Sequence, residues 1–229
     1  MTSALIVAAG QGTRMGPAVD KVFLEVASRP VIAHTWQRFD AQNCIEEVIL
    51  VVRQGSEKAF ADLAAAFQFK KPFRIVIGGK ERQDSVWNGL EALSPDSALV
   101  AIQDGARPCT SGELITATLQ AARETGAAVA AQRVTDTIKE SVDGRLISRH
   151  LDRGRLWSVQ TPQCFRVEVI RCALGVVRQR GLLVTDDTAA CEMIGQPVQL
   201  VESTAPNPKI TAPSDLGYVE MLLRKEGRA

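Results

Sequence analysis

The start of the chain carries a glycine-rich turn whose residue types suit a phosphate site. The apolar run 4–9 leads into Gly10 and Gly12, and the cations Arg14 and Lys21 follow. Because glycine has no Cβ, several backbone N–H groups can converge on one anion, and such a concavity binds phosphate. The two cations add charge that would stabilise a reacting polyphosphate. We therefore expect a phosphate-binding loop; for this loop alone, a plain strand-to-helix turn with solvated charges is the alternative.

Two widespread glycine loops fit the spacing poorly. A dinucleotide-binding fingerprint needs a third glycine at position 15, where Met15 stands. The ATPase-type loop ends in Gly-Lys-Ser or Gly-Lys-Thr, and neither string occurs in the chain. A nicotinamide-dependent oxidoreductase is further disfavoured because Arg53, and no acidic residue, ends the second strand region.

Polar residues also follow two later strands that are predicted from apolar runs. Gly79, Arg82 and Ser85 come after one of them, and Asp104 and Arg107 come after the next. In an open parallel sheet, ligands bind beyond the carboxyl ends of the strands, so these residues address one edge. A carboxylate at this edge can hold Mg²⁺ against a triphosphate. The structural alternatives are a tight glycine turn, a turn or N-cap aspartate, and an ion pair between Asp104 and Arg107.

Short β-rich runs alternate with amphipathic helical patterns along most of the chain. The predicted strands are 4–9, 48–52, 73–77, 99–102, 127–131 and 198–201. The predicted helices are 31–39, 56–67, 166–180 and 187–194, with others around 86–93 and 115–122 and after residue 214. Apolar strands separated by such helices predict an α/β fold, with a mostly parallel sheet covered by helices on both faces.

The segment 133–157 breaks this alternation. Polar and apolar residues alternate on both sides of Asp143 and Gly144, which is typical of a β-hairpin. Two exposed strands with little apolar surface are marginal alone, so we expect this arm to pack on something else, plausibly a partner subunit.

Composition allows one large domain, or a domain with a small appendage, and predicts no strong overall electrostatic field. The 229 residues are 45% hydrophobic and 23% charged, with a net charge of +1, so a general attraction to nucleic acid or to an anionic membrane is not expected. The sequence contains no apolar stretch of the roughly 20 residues that span a bilayer, and no secretory leader pattern is recognisable. We expect a cytoplasmic protein.

Cysteine and histidine usage argues against several chemistries. The 5 cysteines include no Cys-x-x-Cys pair, which argues against a disulfide framework and against structural zinc. The only 2 histidines, His34 and His150, are far apart, so a Ser-His-Asp or Cys-His mechanism has little to work with.

A series of short motifs in order along the chain carries a family resemblance. They are Ala8-Ala9-Gly10-x-Gly12-Thr13-Arg14-Met15-Gly16, Lys21-x-x-Leu24, Gly78-Gly79-x-Glu81-Arg82-x-x-Ser85-Val86, Asp104-x-Ala106-Arg107-Pro108, Asp136-Thr137-Ile138-Lys139, Asp152-Arg153, Leu156-Trp157, Thr161-Pro162-Gln163, Thr185-Asp186-Asp187 and Lys209-Ile210-Thr211. With these motifs the chain resembles the 2-C-methyl-D-erythritol 4-phosphate cytidylyltransferase family over nearly its whole length.

The resemblance implies a Rossmann-like nucleotidyltransferase fold in one domain over residues 1–229. It also implies a homodimer, with 133–157 as a dimerisation arm that is exchanged between subunits. The implied reaction transfers a cytidylyl group from CTP to 2-C-methyl-D-erythritol 4-phosphate with Mg²⁺ and releases pyrophosphate. The acceptor is a phosphate monoester whose second pKa is about 6, so it is already an anion and needs no general base.

The resemblance also implies roles for individual residues. The catalytic group would be Arg14, Lys21 and Asp104, with Asp104 also the Mg²⁺ ligand. The nucleotide-binding group would be Ala8, Ala9, Gly10, Gly12, Thr13, Gly79, Arg82 and Ser85. The acceptor-binding group would be Arg107, Thr137, Arg153, Thr161 and Lys209, of which Arg107 and Thr137 would serve the neighbouring subunit's site.

One departure and two rival functions accompany the resemblance. The family usually has proline before the loop lysine, whereas this chain has Asp20, which would pair with Lys21 or change the approach of the loop. A cytidylyltransferase for another polyol phosphate, such as ribitol 5-phosphate, would share the nucleotide loops. A non-catalytic nucleotide sensor would need the same loops but not the combination of Arg14, Lys21 and Asp104.

Overall fold

A seven-stranded sheet runs through the computed structural model, which describes residues 1–10 and 20–227. In chain order the strands are β1 (Thr2–Val7), β2 (Glu25–Val26), β3 (Arg29–Pro30), β4 (Glu47–Val52), β5 (Phe73–Ile77), β6 (Leu99–Asp104), β7 (Ala127–Arg133), β8 (Lys139–Glu140), β9 (Arg149–His150), β10 (Trp157–Arg166) and β11 (Gln199–Glu202). The helices are α1 (Val31–Asp40), α2 (Glu57–Phe67), α3 (Arg82–Glu91), α4 (Gly112–Thr125), α5 (Val167–Gln179), α6 (Asp187–Glu192) and α7 (Asp215–Glu226).

The order of the strands places four chain segments at one edge of the sheet. The order is β11-β7-β10-β6-β1-β4-β5. Strand β1 pairs in parallel with β4 and β6, and β4 pairs in parallel with β5. Because β5, β4, β1 and β6 are parallel neighbours, their carboxyl ends meet at the same edge, which is where ligand crevices form in such sheets.

Helices cover both faces of the sheet, as the apolar strands predict. Ile6 and Leu50 belong to the buried cluster that packs under α1, α2 and α4, whereas Leu5 and Ile49 belong to the cluster under α3, α5 and α6. Successive strand residues point to opposite faces, so each central strand supplies both cores. Burial of each such side chain contributes about 1.5–3 kcal/mol. No helix in this described part of the chain is long and apolar enough to cross a lipid bilayer.

Strand β10 corrects the strand assignment made from the sequence. It lies between β6 and β7 and runs antiparallel to both. Its central residues Gln160, Thr161 and Gln163 are polar but buried. Its pairing with β7 also shifts register between Val159 and Gln163. The usual alternation of apolar and polar residues is therefore hidden, although the predicted α/β fold class is confirmed.

The predicted hairpin is present and forms an exposed arm within 133–157. Strands β8 and β9 pair antiparallel, and Gly144 has the positive φ of 71° that suits glycine in the connecting turn. Residues 139–150 are all exposed. The apolar tip residues Val142, Leu146 and Ile147 are 89%, 75% and 68% exposed, so the arm presents apolar surface away from the core.

Candidate active site

A cavity of about 460 Å³ opens at the carboxyl edge formed by β1, β4, β5 and β6. This volume lies in the range typical of small-molecule sites. Most lining residues lie at or just after the ends of these strands, and the others come from the segments around Lys21 and Lys209. The lining residues are Val7, Ala8, Ala9, Gly10, Lys21, Val22, Arg53, Gln54, Ile77, Gly78, Gly79, Lys80, Glu81, Arg82, Ser85, Asp104, Gly105, Ala106 and Lys209. The structure therefore brings together most of the residues predicted to bind the nucleotide.

Asp104 is the buried carboxylate of this cavity. It ends β6, and its backbone N–H donates to Thr161 Oγ1 at 3.1 Å. Its carboxylate lies 2.9 Å from Lys209 Nζ, 3.4 Å from Arg107 Nε and 3.5 Å from Arg82 Nε. Burial opposes ionisation, but the nearby cations, Lys209 first, hold the pKa of Asp104 well below its usual range. Asp104 is therefore a carboxylate at every physiological pH.

Arg82 joins this carboxylate to a second one. It is the first residue of α3, and its Nη1 lies 2.8 Å from Asp187 Oδ2. Asp187 is fully buried, and burial raises its pKa although Arg82 opposes the shift. Burial also works against the charge of Arg82, but Asp187 and Asp104 raise the pKa of this guanidinium. Asp187 was not assigned a role from the sequence, because nothing in the local spacing links it to Arg82.

The Gly78-Gly79 turn brings the main chain close to the end of β1. A Cβ on Gly78 would lie 2.4 Å from Ala9 Cβ, and one on Gly79 would lie 2.3 Å from Asp84 Cβ. Both distances are shorter than real Cβ contacts, so the close approach requires glycine. Ser85 Oγ accepts from the Gly79 N–H at 3.1 Å and donates to the Glu81 carbonyl at 3.2 Å. Ser85 therefore fixes this turn at the cavity wall.

Lys21 enters the cavity from a short 3₁₀ turn, Lys21–Phe23. Its Nζ donates to the Ile210 carbonyl at 3.4 Å. The preceding Asp20 pairs with Arg53, with 3.0 Å between Oδ2 and Nη2. Asp20 therefore has a partner that the sequence did not suggest, and Arg53 lines the cavity although no site role was predicted for it.

The predicted acceptor residues divide into an inner and an outer group. Lys209 lines the cavity, and Thr161 and Arg107 lie beside it through their contacts with Asp104. The ion pair considered from the sequence, Arg107 with Asp104, is present, and Arg107 Nη1 also donates to the Asn207 carbonyl at 2.7 Å. Burial lowers the pKa of Arg107, against the pull of Asp104.

The outer group lies in the arm and does not line this cavity. Thr137 is exposed, and Arg153 Nη1 donates to the Thr135 carbonyl at 2.7 Å. Three further predicted residues, Gly12, Thr13 and Arg14, lie outside the described residues.

A second depression lies at the opposite edge of the sheet, with a volume of about 630 Å³. It is lined by residues that include Glu46, Arg166 and Glu168. It contains none of the predicted site residues, and it lies at the amino ends of the strands. We therefore assign the chemistry to the smaller cavity.

Comparisons with known proteins agree with the resemblance seen in the sequence. The sequence model of the family described as 2-C-methyl-D-erythritol 4-phosphate cytidylyltransferase matches residues 2–225. The chain is 41% identical over 230 residues to the protein of that name from Alkaliphilus oremlandii, covering 99% of this chain and 98% of the relative. It is 41% identical over 228 residues to the protein of the same name from Pelotomaculum thermopropionicum, covering 99% and 96%.

Solved structures agree as well. The 4-diphosphocytidyl-2C-methyl-D-erythritol synthase from Anaerococcus prevotii superimposes with a TM-score of 0.87 at 32% identity, covering 97% of this chain and 96% of that chain. The 2-C-methyl-D-erythritol 4-phosphate cytidylyltransferase from Thermus thermophilus gives 0.78 at 33% identity, covering 96% and 98%. The match to the family model, residues 2–225, includes the sheet, the cavity-lining residues and the arm. The chain therefore belongs to the 2-C-methyl-D-erythritol 4-phosphate cytidylyltransferase family.

Proposed function

We propose that this chain transfers a cytidylyl group from CTP to 2-C-methyl-D-erythritol 4-phosphate and releases pyrophosphate, a step in isoprenoid precursor biosynthesis. The observation that carries the proposal is the gathering of Lys21, Arg82 and Lys209 with the carboxylate of Asp104 around one cavity at the carboxyl edge of the sheet. Family membership assigns the substrates, and the cavity supplies a charge distribution that suits a polyphosphate.

The reaction joins two anions. A phosphate oxygen of the acceptor forms a bond to the α-phosphorus of CTP, and the bond from that phosphorus to the bridging oxygen of the β-phosphate breaks. Pyrophosphate leaves with the electron pair of that bond. The acceptor is already deprotonated near neutral pH, so the protein has to align the reactants and stabilise charge rather than remove a proton.

Lys21 stabilises the charge that develops on the α-phosphoryl group. Its ammonium group lies in the cavity next to the 3₁₀ turn, and the Ile210 carbonyl restrains it. Preorganised cations of this kind act most strongly at the transition state. Arg14 is proposed to act beside Lys21, with Gly12 and Thr13 supplying main-chain contacts to the phosphates. For these three residues the proposal rests on sequence resemblance alone.

The nucleoside lies against the turn that follows β5 and the end of β1. The close contact between Gly78 and Ala9 leaves backbone groups at the cavity wall, where a flat base can approach them. Gly79 and Ser85 read the cytosine, and Ala8, Ala9 and Gly10 contact the ribose and phosphates. Arg82 contributes positive charge at the base of this wall.

The acceptor phosphate lies near Lys209 and Thr161. Lys209 is 34% exposed and faces Asp104, so its ammonium group can exchange this partner for a phosphate. Arg153 provides a planar donor suited to bidentate phosphate binding. We propose that the 133–157 arm is exchanged in a homodimer and that its Thr137 completes the neighbouring subunit's site. Arg107 is largely buried and paired with Asp104 of the same chain, so we assign it to its own subunit's site, against the role implied by the resemblance. The exposed tip of the arm supports this arrangement because apolar surface of this kind is usually covered by a partner.

A Mg²⁺ ion fits the donor set when it is shared with the nucleotide. In the described residues, no group of three or more His, Cys, Asp or Glu side chains is placed to hold a metal ion. Mg²⁺ commonly binds through one or two carboxylates together with substrate phosphates and water, and Asp104 provides one such carboxylate. Asp104 Oδ1 lies 3.5 Å from Arg82 Nε, and this oxygen is the candidate ligand. When bound, the ion would neutralise phosphate charge.

The proposal is tested by measuring pyrophosphate release from CTP with Mg²⁺ and a panel of polyol phosphates. We expect release only with an acceptor and fastest with 2-C-methyl-D-erythritol 4-phosphate. Faster release with ribitol 5-phosphate would move the acceptor assignment to the rival cytidylyltransferase. CTP binding without release for any acceptor would favour the nucleotide sensor. The cytoplasmic location and the single domain over 1–229 stay predictions.

A further inference from the structure

Asp20 and Arg53 come together beside the cavity from separate parts of the chain. Arg53 follows β4, and its Nη2 lies 3.0 Å from Asp20 Oδ2. The same nitrogen donates to the Gly10 carbonyl, which follows β1, at 3.5 Å. Arg53 therefore joins Asp20 to the ends of two central strands of the sheet.

Asp20 also shapes the turn that carries Lys21. It occupies the N-cap position of the 3₁₀ turn, where its Oδ1 accepts from the Val22 N–H at 3.4 Å. Its carbonyl accepts from the Phe23 N–H at 3.0 Å. One carboxylate thus contacts both the turn and the arginine that ties the turn to the sheet. The position of Lys21, the first residue of the turn, depends on these contacts.

We infer that Asp20 and Arg53 are positioning residues that hold Lys21 at the cavity, an inference that rests on the proposed role of Lys21. Arg53 Nη2 is engaged by the Asp20 carboxylate and the Gly10 carbonyl, so we assign Arg53 this link rather than a direct phosphate contact. The two side chains are 38% and 24% exposed, and ion pairs at such exposure add little to folding stability. We therefore expect substitutions of these two residues to change kcat more than the free energy of unfolding.

The first test compares Asp20→Asn, Arg53→Gln and the double variant in the pyrophosphate assay. Misplacement of one catalytic group costs rate in the chemical step, so we expect kcat to fall about tenfold in each single variant, with KM for CTP within about twofold of wild type. Because both residues act through one contact, the double variant falls no further. The matched control is Asp62→Asn, which removes a carboxylate from the exposed Lys58–Asp62 pair and leaves kcat unchanged.

The Asp20→Pro variant distinguishes a positioning role of Arg53 from a direct contact between Arg53 and the ligand. Asp20 has φ −84° and ψ 98°, close to the backbone that proline adopts. We expect Asp20→Pro to keep kcat within about threefold of wild type and to make Arg53→Gln cost less than about twofold in that background. A full tenfold loss from Arg53→Gln in the proline background would overturn the inference, since Arg53 would then act on the ligand itself. A raised KM for CTP with an unchanged kcat would also overturn it.

Hydrogen exchange tests the same link without turnover. We expect faster amide exchange in the segment 21–23 of Asp20→Asn and Arg53→Gln, because the turn loses its anchor. Unchanged exchange in both variants would overturn the inference whatever the activity. Failure of the proposed function has a different signature, because the wild-type protein would then release no pyrophosphate with any acceptor.

Discussion

The cavity at the carboxyl edge and the 133–157 arm differ in which groups they bury and which they expose. In the cavity, charged groups are buried and paired, as in the contacts of Asp104 with Arg82 and Lys209. In the arm, apolar groups such as Leu146 and Ile147 are exposed. A buried ion network is stable within a single chain, whereas an exposed apolar tip is explained only by something outside the chain. This difference is consistent with the proposed nucleotide site in the cavity and with the proposed partner subunit at the arm.

The largest expected effect is on the cavity side, from Asp104→Asn. The variant leaves Lys209, Arg82 and Arg107 without their shared carboxylate. Breaking a buried ion pair costs about 3–5 kcal/mol; we expect the lower end because Lys209 is 34% exposed. Thermal unfolding monitored by circular dichroism checks this value, and pyrophosphate release should be lost as well. A stability equal to wild type would show that the network does not hold the edge together.

The same variant predicts a pH dependence. The pKa of Asp104 is lower in the folded state, so its contribution to stability is present above the unfolded pKa of about 3.9 and is lost as the pH falls toward the folded value. The stability difference between wild type and Asp104→Asn is therefore constant near neutral pH and shrinks in acid. Denaturant unfolding at a series of pH values measures it, and a difference that grows in acid would contradict the sign.

The next effect is kinetic and concerns Lys21. Lys21→Ala should keep the fold but lower kcat by about 10²–10³, the usual cost of removing one preorganised charge at a transition state. Lys58→Ala, at an exposed position in α2, is the matched control and should leave kcat unchanged. Near-normal turnover by purified Lys21→Ala would remove Lys21 from the proposed chemistry.

Arg153 tests whether the arm serves the acceptor. We expect Arg153→Ala to raise KM for the polyol phosphate by about tenfold or more, the worth of one charge-assisted hydrogen bond, while KM for CTP stays constant. Arg149→Ala removes a neighbouring arm arginine that pairs with Glu140, and it should leave both constants unchanged. A change in KM for CTP alone would place Arg153 on the nucleotide side.

The smallest effect on the chain itself is expected at the tip of the arm. Leu146→Ser with Ile147→Ser should leave unfolding within about 0.5 kcal/mol of wild type, because both side chains are exposed. Self-association, measured by analytical ultracentrifugation, should weaken by about tenfold or more as buried apolar contacts are lost. Leu183→Ser is the control, since Leu183 is also 75% exposed but lies outside the arm. Equal association in all three proteins would show that the tip is not an interface.

The fold was largely predictable because its strands are apolar throughout. The predicted strand 48–52 lies within β4, and the predicted strand 73–77 coincides with β5. These predictions succeeded because buried parallel strands and amphipathic helices place their apolar residues at different periods. Strand β10 was missed because its buried centre is polar, with Gln160 and Gln163 using their amides for hydrogen bonds inside the protein. Sequence periodicity contains no signal for such a strand.

The candidate site was predictable where a residue follows a strand directly. Asp104 and Gly79 lie at the expected edge because strand direction alone fixes that position. The partners of these residues were not predictable: Asp187 reaches Arg82, and Arg53 reaches Asp20, through contacts that connect distant parts of the chain. Such pairings are set by packing and leave no trace in local spacing.

The most direct test of the proposed cytidylyl transfer is a crystal structure of the protein with CTP and Mg²⁺. We expect the triphosphate in the cavity, with a phosphate oxygen about 3 Å from Lys21 Nζ, and the cytosine against Gly79 and Ser85. Nucleotide bound at another surface, or a triphosphate turned away from both Lys21 and Asp104, would contradict the proposed cytidylyl transfer.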